Sequence, residues 1–258
     1  MKNKSFCLLG NPNCGKTAVF NLLSGLNQKV SNYPGITVER KVAKIDLDDN
    51  ATLTLEDYPG AYSLIPQSLD EQIVSDQVLQ WMKEPNTHPD AIIYVADITN
   101  LRRNLFFCTQ LLSLQIPIIV LLNMVDIAQD DLIDIELLEK NMGVLKVIPF
   151  SAAKQIGLDA LKNTILSCGN DNVVEHIYMP LSDHYKQLIN PLTEKIKEVF
   201  KTTDILSQQL SFSLLCNRKQ LEYLHLDQDT LTKIVSIKTR ILDGFDKDMK
   251  PHLKTMES

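Results

Sequence analysis

An eight-residue segment near the amino terminus restricts the possible folds of this chain more than any other feature. Residues 10–17 read GNPNCGKT and match the pattern G-x-x-x-x-G-K-[ST]. They follow a short apolar run at residues 5–9, which predicts a strand, and they lead into apolar residues at helical spacing. A loop in this position binds phosphate, because its glycines let backbone N–H groups surround the oxygens and the helix N-terminus favours anions. The segment therefore predicts an α/β fold with a site for a nucleoside triphosphate.

The side chains of this phosphate loop predict separate roles. Lys16 is expected to bridge the β- and γ-phosphates of the nucleotide, and the Thr17 hydroxyl is expected to bind Mg²⁺. Further contacts with the nucleotide are expected from Gly10, Asn13, Cys14, Gly15 and Ala18.

Strand-like and helix-like runs alternate up to about residue 167, which predicts a mostly parallel sheet with helices on its faces. After the first strand, strands are predicted at residues 38–46, 52–57, 91–96, 116–122 and 144–150. Helices are predicted at residues 16–24, 69–82, 101–114, 132–141 and 157–166. The strands at 38–46 and 52–57 alternate in period two around turn-forming residues at 48–50, so they are expected to form an antiparallel hairpin.

The pattern changes after a polar break at residues 169–172, beyond which no strand-like run persists. Residues 181–200 and 231–242 carry apolar side chains at helical spacing. We therefore predict two domains, a nucleotide-binding domain at residues 1–168 and a small all-helical domain at residues 175–258.

A second motif, the sequence DYPG, ends the strand predicted at residues 52–57. In a nucleotide-binding sheet an acidic residue at this place faces Mg²⁺, usually through water, and a glycine three residues later offers its N–H to the γ-phosphate. These roles are expected for Asp57 and Gly60. The motif is common by itself, and its order and spacing after the phosphate loop make it informative.

Two further motifs follow the next strands and predict recognition of guanine. In the sequence NMVD, the Asp126 carboxylate can accept hydrogen bonds from N1 and N2 of guanine, which adenine cannot satisfy. Asn123 is expected to join this loop to the phosphate loop and to touch the base, beside Met124. The sequence SAAK then supplies backbone N–H donors for the guanine oxygen, at Ser151, Ala152 and Ala153. All these motifs lie at carboxyl ends of strands, where open α/β sheets bind ligands.

The segment NYPGITVE at residues 32–39 predicts a nucleotide-sensitive loop. Thr37 is its only threonine, so its hydroxyl is expected to bind Mg²⁺ when a γ-phosphate is present. With Lys16 and Gly60, Thr37 is expected to take part in GTP hydrolysis.

Together, the segments GNPNCGKT, NYPGITVE, DYPGAYSL (residues 57–64) and SLDEQ (residues 68–72) resemble the cytosolic N-terminal region of ferrous iron transport protein B. The resemblance covers essentially the whole chain. It implies a Ras-like P-loop GTPase domain, followed by a helical domain that slows GDP release. It also implies a polytopic membrane domain further along the same full-length protein, and a place at the cytoplasmic face of the bacterial inner membrane.

Three positions within these motifs carry expectations about hydrolysis. Ala61 stands where many small GTPases place a glutamine that orients the attacking water, so hydrolysis is expected to be slow and to use other groups. The resemblance implies that Asn11 holds K⁺ beside the β- and γ-phosphates, where a cation can neutralise developing charge. Tyr58 differs from the leucine more usual in the family, and no consequence is assigned to it.

Composition limits the alternatives. A net charge of −6 offers no basic surface, so nucleic acid is not an expected partner and a ribosome-assembly or RNA-modification GTPase is the less favoured alternative. A pure binding module without hydrolysis also stays open, as does a homo-oligomer. Five scattered cysteines and five histidines show no ligand spacing, which favours reduced thiols and no iron site. Without any run of about 20 apolar residues, the chain given is expected to be soluble.

Overall fold

The computed structural model describes the chain over residues 2–25, 28–33, 37–48, 51–64, 66–128, 133–168, 183–200, 204–216 and 226–244. Within these ranges a seven-stranded sheet has the order β2-β3-β4-β1-β5-β6-β7. The strands are β1 Lys2–Gly10, β2 Gln28–Asn32, β3 Glu39–Asp48, β4 Ala51–Asp57, β5 Ala91–Asp97, β6 Ile118–Asn123 and β7 Lys146–Pro149. β3 pairs antiparallel with β2 and β4, and all other neighbours are parallel. The predicted hairpin and the predicted parallel sheet are therefore confirmed.

The helices follow the strands in the expected alternation. They are α1 Lys16–Ser24, α2 Leu69–Lys83, α3 Leu101–Leu111, α4 Ile135–Met142, α5 Leu158–Ser167, α6 Asp183–Phe200, α7 Asp204–Cys216 and α8 Gln228–Gly244. A single 3₁₀ turn extends α3 to Leu114, as far as the predicted helix reached.

Two elements were not predicted from the sequence. β2 lies at the sheet edge with all five residues exposed, so it has no buried face to produce an alternating apolar pattern. α7 mixes serine and glutamine with leucine and has little amphipathic periodicity.

The start of α4 also differs from the prediction. The helix begins at Ile135, because Asp134 accepts a hydrogen bond from the Leu137 N–H at 2.9 Å and caps it. The start predicted at Leu132 lies outside the described residues, as do Asp130 and Asp131 before it.

Apolar side chains cover both faces of the sheet. Alternate residues of β1 enter different clusters: Phe6 and Leu8 pack on the face covered by α1 and α5, and Cys7 and Leu9 on the opposite face. The second cluster continues through α2 and α3 into α6, α7 and α8. The C-terminal helices are thus present, as predicted, and share a core with one face of the sheet. The border between the two predicted domains stays a prediction, because residues 169–182 lie outside the described ranges.

No helix in the described part of the chain is both long and apolar enough to span a membrane. The cysteines at positions 7, 14, 108 and 168 are buried. Among the described residues, no group of three or more His, Cys, Asp and Glu is placed to hold a metal ion.

Candidate nucleotide site

The predicted motifs meet at one edge of the sheet, where the parallel strands end. The strand register pairs Leu8 of β1 with Asp57 of β4, and Gly10 with Val95 of β5. Farther along the same edge, Asp97 pairs with Asn123 at the end of β6. The loop after β7 lies next to β6. Motifs that are up to 140 residues apart in the chain are therefore neighbours in the fold.

The glycines of the phosphate loop are required by close contacts. Gly15 has φ +93°, and a Cβ there would lie 2.2 Å from Asn123 Nδ2. A Cβ on Gly10 would lie 2.2 Å from the carbonyl oxygen of Val95. Neither position accepts a larger residue without displacing the loop, because one neighbour is backbone and the other is a hydrogen-bonded amide.

Lys16 begins α1 and is buried, while Thr17 is exposed in the first helical turn. The Lys16 ammonium donates to the carbonyl oxygens of Gly10 and Asn11, at 3.3 Å each. It is thus held within the loop that the sequence predicts to hold phosphate. The positive charge at the helix N-terminus suits an anion.

Asp57, at the end of β4, is 9% exposed, and its Oδ1 has no hydrogen-bond partner among the described residues. Burial raises the pKa of this carboxyl to about 6, although Lys16 and Lys41 act in the opposite direction. A buried carboxylate oxygen without a partner fits a group that shares a hydrated Mg²⁺ with its neighbours. This observation supports the role expected for Asp57.

We predict that Asp57→Asn makes the chain more stable when nucleotide and metal are absent. The folded-state pKa lies above the ordinary value, so ionisation costs stability, and this cost appears as the pH rises through about 6. Thermal unfolding in a chelating buffer at neutral pH should show a melting temperature raised by a few degrees, since 1 kcal/mol corresponds to roughly 2–4 °C at this size.

Asp97→Asn is the matched control for this prediction, because Asp97 also ends a parallel strand. Burial acts to raise the pKa of Asp97, but hydrogen bonds from Thr99 and Asn100 outweigh it and lower the pKa. The Asp97 variant should therefore lose stability under the same conditions. Equal shifts for the two variants would contradict the proposed cost of ionising Asp57.

Gly60 and Ala61 pack against the phosphate loop. A Cβ on Gly60 would lie 2.7 Å from the Pro12 backbone, and the Ala61 N–H donates to the Gly10 carbonyl at 3.2 Å. Ala61 is fully buried, and its methyl side chain has no polar atom that could orient a water molecule. The next turn is fixed by Glu71 on α2, whose carboxylate accepts the Tyr62 N–H at 3.0 Å and the Gln67 N–H at 2.7 Å.

Asn123 joins the phosphate loop to the loop after β7. Its Nδ2 donates to the Cys14 carbonyl at 2.9 Å, and its Oδ1 accepts the Ala152 N–H at 3.1 Å. The predicted link between the base-binding loop and the phosphate loop is thus present. The side chain is buried and both polar ends have partners, so it fixes the spacing between the two loops.

The loop after β7 uses most of its own N–H groups. Ser151 exchanges backbone hydrogen bonds with Ile156, the Ala152 N–H is taken by Asn123, and the Lys154 N–H donates to Ser151 Oγ at 3.1 Å. Within residues 151–154, only the Ala153 N–H lacks a described protein acceptor. Of the three candidate donors to guanine, Ala153 is thus the one whose N–H has no acceptor among the described residues.

Asp126 is exposed in the turn that follows β6, and the backbone of Met124 before it has φ +69°. The Met124 side chain lies over the phosphate loop, with its Cε 3.9 Å from the position of a Cβ on Gly15. The carboxylate expected to bind guanine is therefore accessible.

The loop that contains Thr37 is anchored at its base. The Tyr33 N–H donates to the Val38 carbonyl at 2.9 Å, and Thr37 is exposed. The Tyr33 ring lies 6.3 Å from the Tyr58 ring, and Tyr58 meets Trp81 of α2 edge-on at 5.9 Å. Tyr58 therefore connects this loop to α2 by packing. Pro34, Gly35 and Ile36 lie outside the described residues.

Asn11 is 1% exposed, and its amide has one paired and one unpaired polar position. Its Oδ1 lies 3.0 Å from the Tyr94 hydroxyl, and its Nδ2 is buried without a partner among the described residues. Sequence reasoning did not single out Tyr94. The available signal was a phenol in an otherwise aliphatic strand buried on both faces, because such a hydroxyl needs a partner.

A family model described as ferrous iron transport protein B matches residues 4–165. The chain belongs to this family. The Fe(2+) transporter FeoB of Legionella pneumophila (strain Paris) is 39% identical over 195 residues, which are 73% of this chain and 25% of that protein. The chain thus spans about a quarter of the length of that relative. It corresponds to the N-terminal G-domain region of the family, as the sequence motifs indicated.

Solved structures of FeoB confirm the fold. A GDP-bound mutant of the S. thermophilus FeoB G-domain has 30% sequence identity and a TM-score of 0.74, covering 93% of this chain and 89% of that one. The cytosolic domain of L. pneumophila FeoB has 34% identity and a TM-score of 0.70, covering 92% of this chain and 98% of that one. The Ras-like α/β fold with helices at its C-terminal end is therefore confirmed.

Proposed function

We propose that this chain binds GTP, hydrolyses it slowly to GDP and phosphate, and acts as the cytosolic module of a Fe²⁺ transporter. In this proposal the state of the nucleotide is sensed by Thr37 and Gly60, and the ordering of their loops regulates iron uptake. The observation that carries it is the meeting of four motifs at one sheet edge, three of which are joined by hydrogen bonds of Asn123. Family membership and the GDP-bound FeoB structure support the same function.

The described residues suggest how the nucleotide is held. Lys16 would leave the loop carbonyls for the β- and γ-phosphates, and Asp126 with the Ala153 N–H would bind the guanine edge. Asp57, Thr17 and Thr37 would hold Mg²⁺, and Asn11 would hold K⁺. Bound cations would supply positive charge beside the phosphates, where negative charge develops during hydrolysis.

Two features of the chain support slow hydrolysis. Ala61 has no polar side-chain atom that could orient water, and its N–H is occupied by the Gly10 carbonyl. The Gly60 N–H would be left to contact the γ-phosphate. Because Gly60 has no side chain, its backbone can lie directly against Pro12 of the phosphate loop.

The Asn11 amide has a position for a ligand beyond the protein, because one of its two polar ends is buried without a partner among the described residues. We predict that GTP turnover is faster in K⁺ than in Na⁺, on the order of tenfold or more, since the ion replaces an arginine finger. Asn11→Ala should remove this difference. Steady-state phosphate release in the two salts measures it, with the exposed Asn141→Ala as matched control.

Equal rates in the two salts, or full K⁺ stimulation in Asn11→Ala, would contradict the role of Asn11. Single-turnover measurement at saturating protein separates a slow enzyme from a binding module. Absence of any phosphate release would favour the binding module.

We further propose that the chain is part of a longer protein whose membrane domain carries Fe²⁺, at the cytoplasmic face of the bacterial inner membrane. The support is that the FeoB relative is about four times as long as the matched region. An RNA-linked GTPase is not favoured, since family membership and net charge both point away from it. Self-association stays a prediction.

A further inference from the structure

The Tyr94 hydroxyl lies between two oxygen atoms that belong to different elements. One is Asn11 Oδ1 in the phosphate loop, at 3.0 Å, and the other is the Asn104 carbonyl oxygen of α3, at 2.5 Å. Tyr94 is 0% exposed and its ring packs edge-on against Phe107 at 5.9 Å. The hydroxyl is therefore held in place from both sides.

A phenol has one proton, so it can donate fully to only one of these oxygens. The shorter contact is with the Asn104 carbonyl, which has no proton of its own and must accept. The other contact is then satisfied only if the asparagine donates. A rotation of the Asn11 amide by 180° places Nδ2 next to the Tyr94 oxygen and leaves its shape unchanged.

This orientation changes which Asn11 atom is left over. The buried position without a protein partner is then occupied by the carbonyl oxygen and not by the nitrogen. A carbonyl oxygen is a ligand for a hard cation, whereas an amide N–H₂ is not. The proton of Tyr94 thereby determines whether Asn11 offers a cation ligand.

We propose that Tyr94 is a positioning residue for the cation site, which directs the Asn11 oxygen away from the sheet by accepting a hydrogen bond from its amide. This inference rests on the proposed role of Asn11 in binding K⁺. Tyr94 does not touch the nucleotide in this proposal and acts only through Asn11.

Helix α3 fixes the position of the Asn104 carbonyl oxygen that accepts the Tyr94 proton. The Asn104 side chain accepts the Asp97 N–H at 3.2 Å through Oδ1 and donates to the Asn100 carbonyl at 3.0 Å through Nδ2. Its backbone carbonyl is thus fixed relative to the end of β5. The three residues Asn104, Tyr94 and Asn11 form a continuous chain of hydrogen bonds from α3 to the phosphate loop.

Tyr94→Phe is the test, because it removes the hydroxyl and keeps the ring. The K⁺ concentration that gives half-maximal stimulation of GTP hydrolysis should rise about fivefold, as expected for one lost hydrogen bond. The gain in affinity for GDP with aluminium fluoride, on changing Na⁺ to K⁺, should shrink by a similar factor. Tyr62→Phe is the matched control, since the Tyr62 ring is exposed beside Arg103.

The outcomes separate this inference from the proposed function. If the wild type shows no K⁺ response, the proposed function fails first. If the wild type responds and Asn11→Ala does not, an unchanged or lower half-saturating K⁺ concentration in Tyr94→Phe overturns the positioning role. In an Asn11→Ala background, Tyr94→Phe should change the residual rate of GTP hydrolysis by the same factor in K⁺ as in Na⁺.

A direct measurement covers the case in which Tyr94→Phe does not fold. In the ¹⁵N-labelled wild type, the Asn11 side-chain amide protons should show nuclear Overhauser contacts with the Tyr94 ring. An Asn11 amide whose protons show no contact with that ring would overturn the inference without any variant.

Discussion

Asp126→Asn is expected to lower the affinity for GTP about 10³-fold and to create a preference for xanthine nucleotides. The carboxylate is exposed in the turn after β6, where it can accept two N–H bonds from guanine. Each hydrogen bond to a charged group contributes about 1.5–3 kcal/mol, so losing the bond to guanine N2 and the charge on the acceptor for N1 accounts for that factor. Asparagine presents one N–H₂ donor and one acceptor, a pattern that complements xanthine and leaves guanine N2 against a donor.

Equilibrium binding of fluorescent GDP and xanthosine diphosphate to both proteins measures the exchange of specificity. Asp159→Asn is the matched control. Asp159 is an exposed carboxylate in the first turn of α5, which follows the loop after β7. Retention of GDP affinity in Asp126→Asn, or a loss without gain for the xanthine nucleotide, would contradict the assignment of the base site. A parallel loss in the control would indicate a general effect of charge.

The sequence predicted most of the sheet because its strands have strong local signals. β5 and β6 are continuous apolar runs covered on both faces, and α1 was bounded correctly by the loop before it and Gly25 after it. The edge strand β2 has no such apolar run. Only its pairing with β3 identifies it as a strand. The start of α4 was also missed, because the cap at Asp134 is a single hydrogen bond that the sequence does not reveal.

The candidate site was predictable to the level of motifs and not of individual hydrogen bonds. Position in the chain and residue type were enough to place Lys16, Asp57 and Asn123 at one edge. Which loop N–H is left for the base depends on a hydrogen-bond inventory that only the fold supplies, and it selects Ala153. The orientation of Asn11 depends in the same way on Tyr94, a residue 83 positions away.

Lys4 illustrates a buried charge that stabilises the fold at a distance from the site. It lies on β1, is 5% exposed, and its ammonium donates at 2.6 Å to each of the carbonyl oxygens of Ile165, Leu166 and Cys168. These carbonyls end α5, where helix carbonyls lack partners within the helix and the dipole favours a cation. Lys4 therefore connects the first strand to the last helix before the predicted domain border.

We predict that Lys4→Met lowers the free energy of unfolding by about 3–5 kcal/mol, because it leaves two buried carbonyl oxygens and one part-buried carbonyl oxygen without this donor. Methionine retains the length of the side chain, so the loss is polar and not a cavity. Thermal and denaturant unfolding should show a melting temperature lower by about 10 °C. Lys44→Met on β3 is the matched control, because Lys44 is exposed, and its effect should stay within about 0.5 kcal/mol. Lys4 lies near the amino end of β1, and the candidate site lies at the carboxyl ends of the strands, so the GDP affinity of the folded Lys4 variant should match the wild type. Equal stability of the two variants would contradict the capping role.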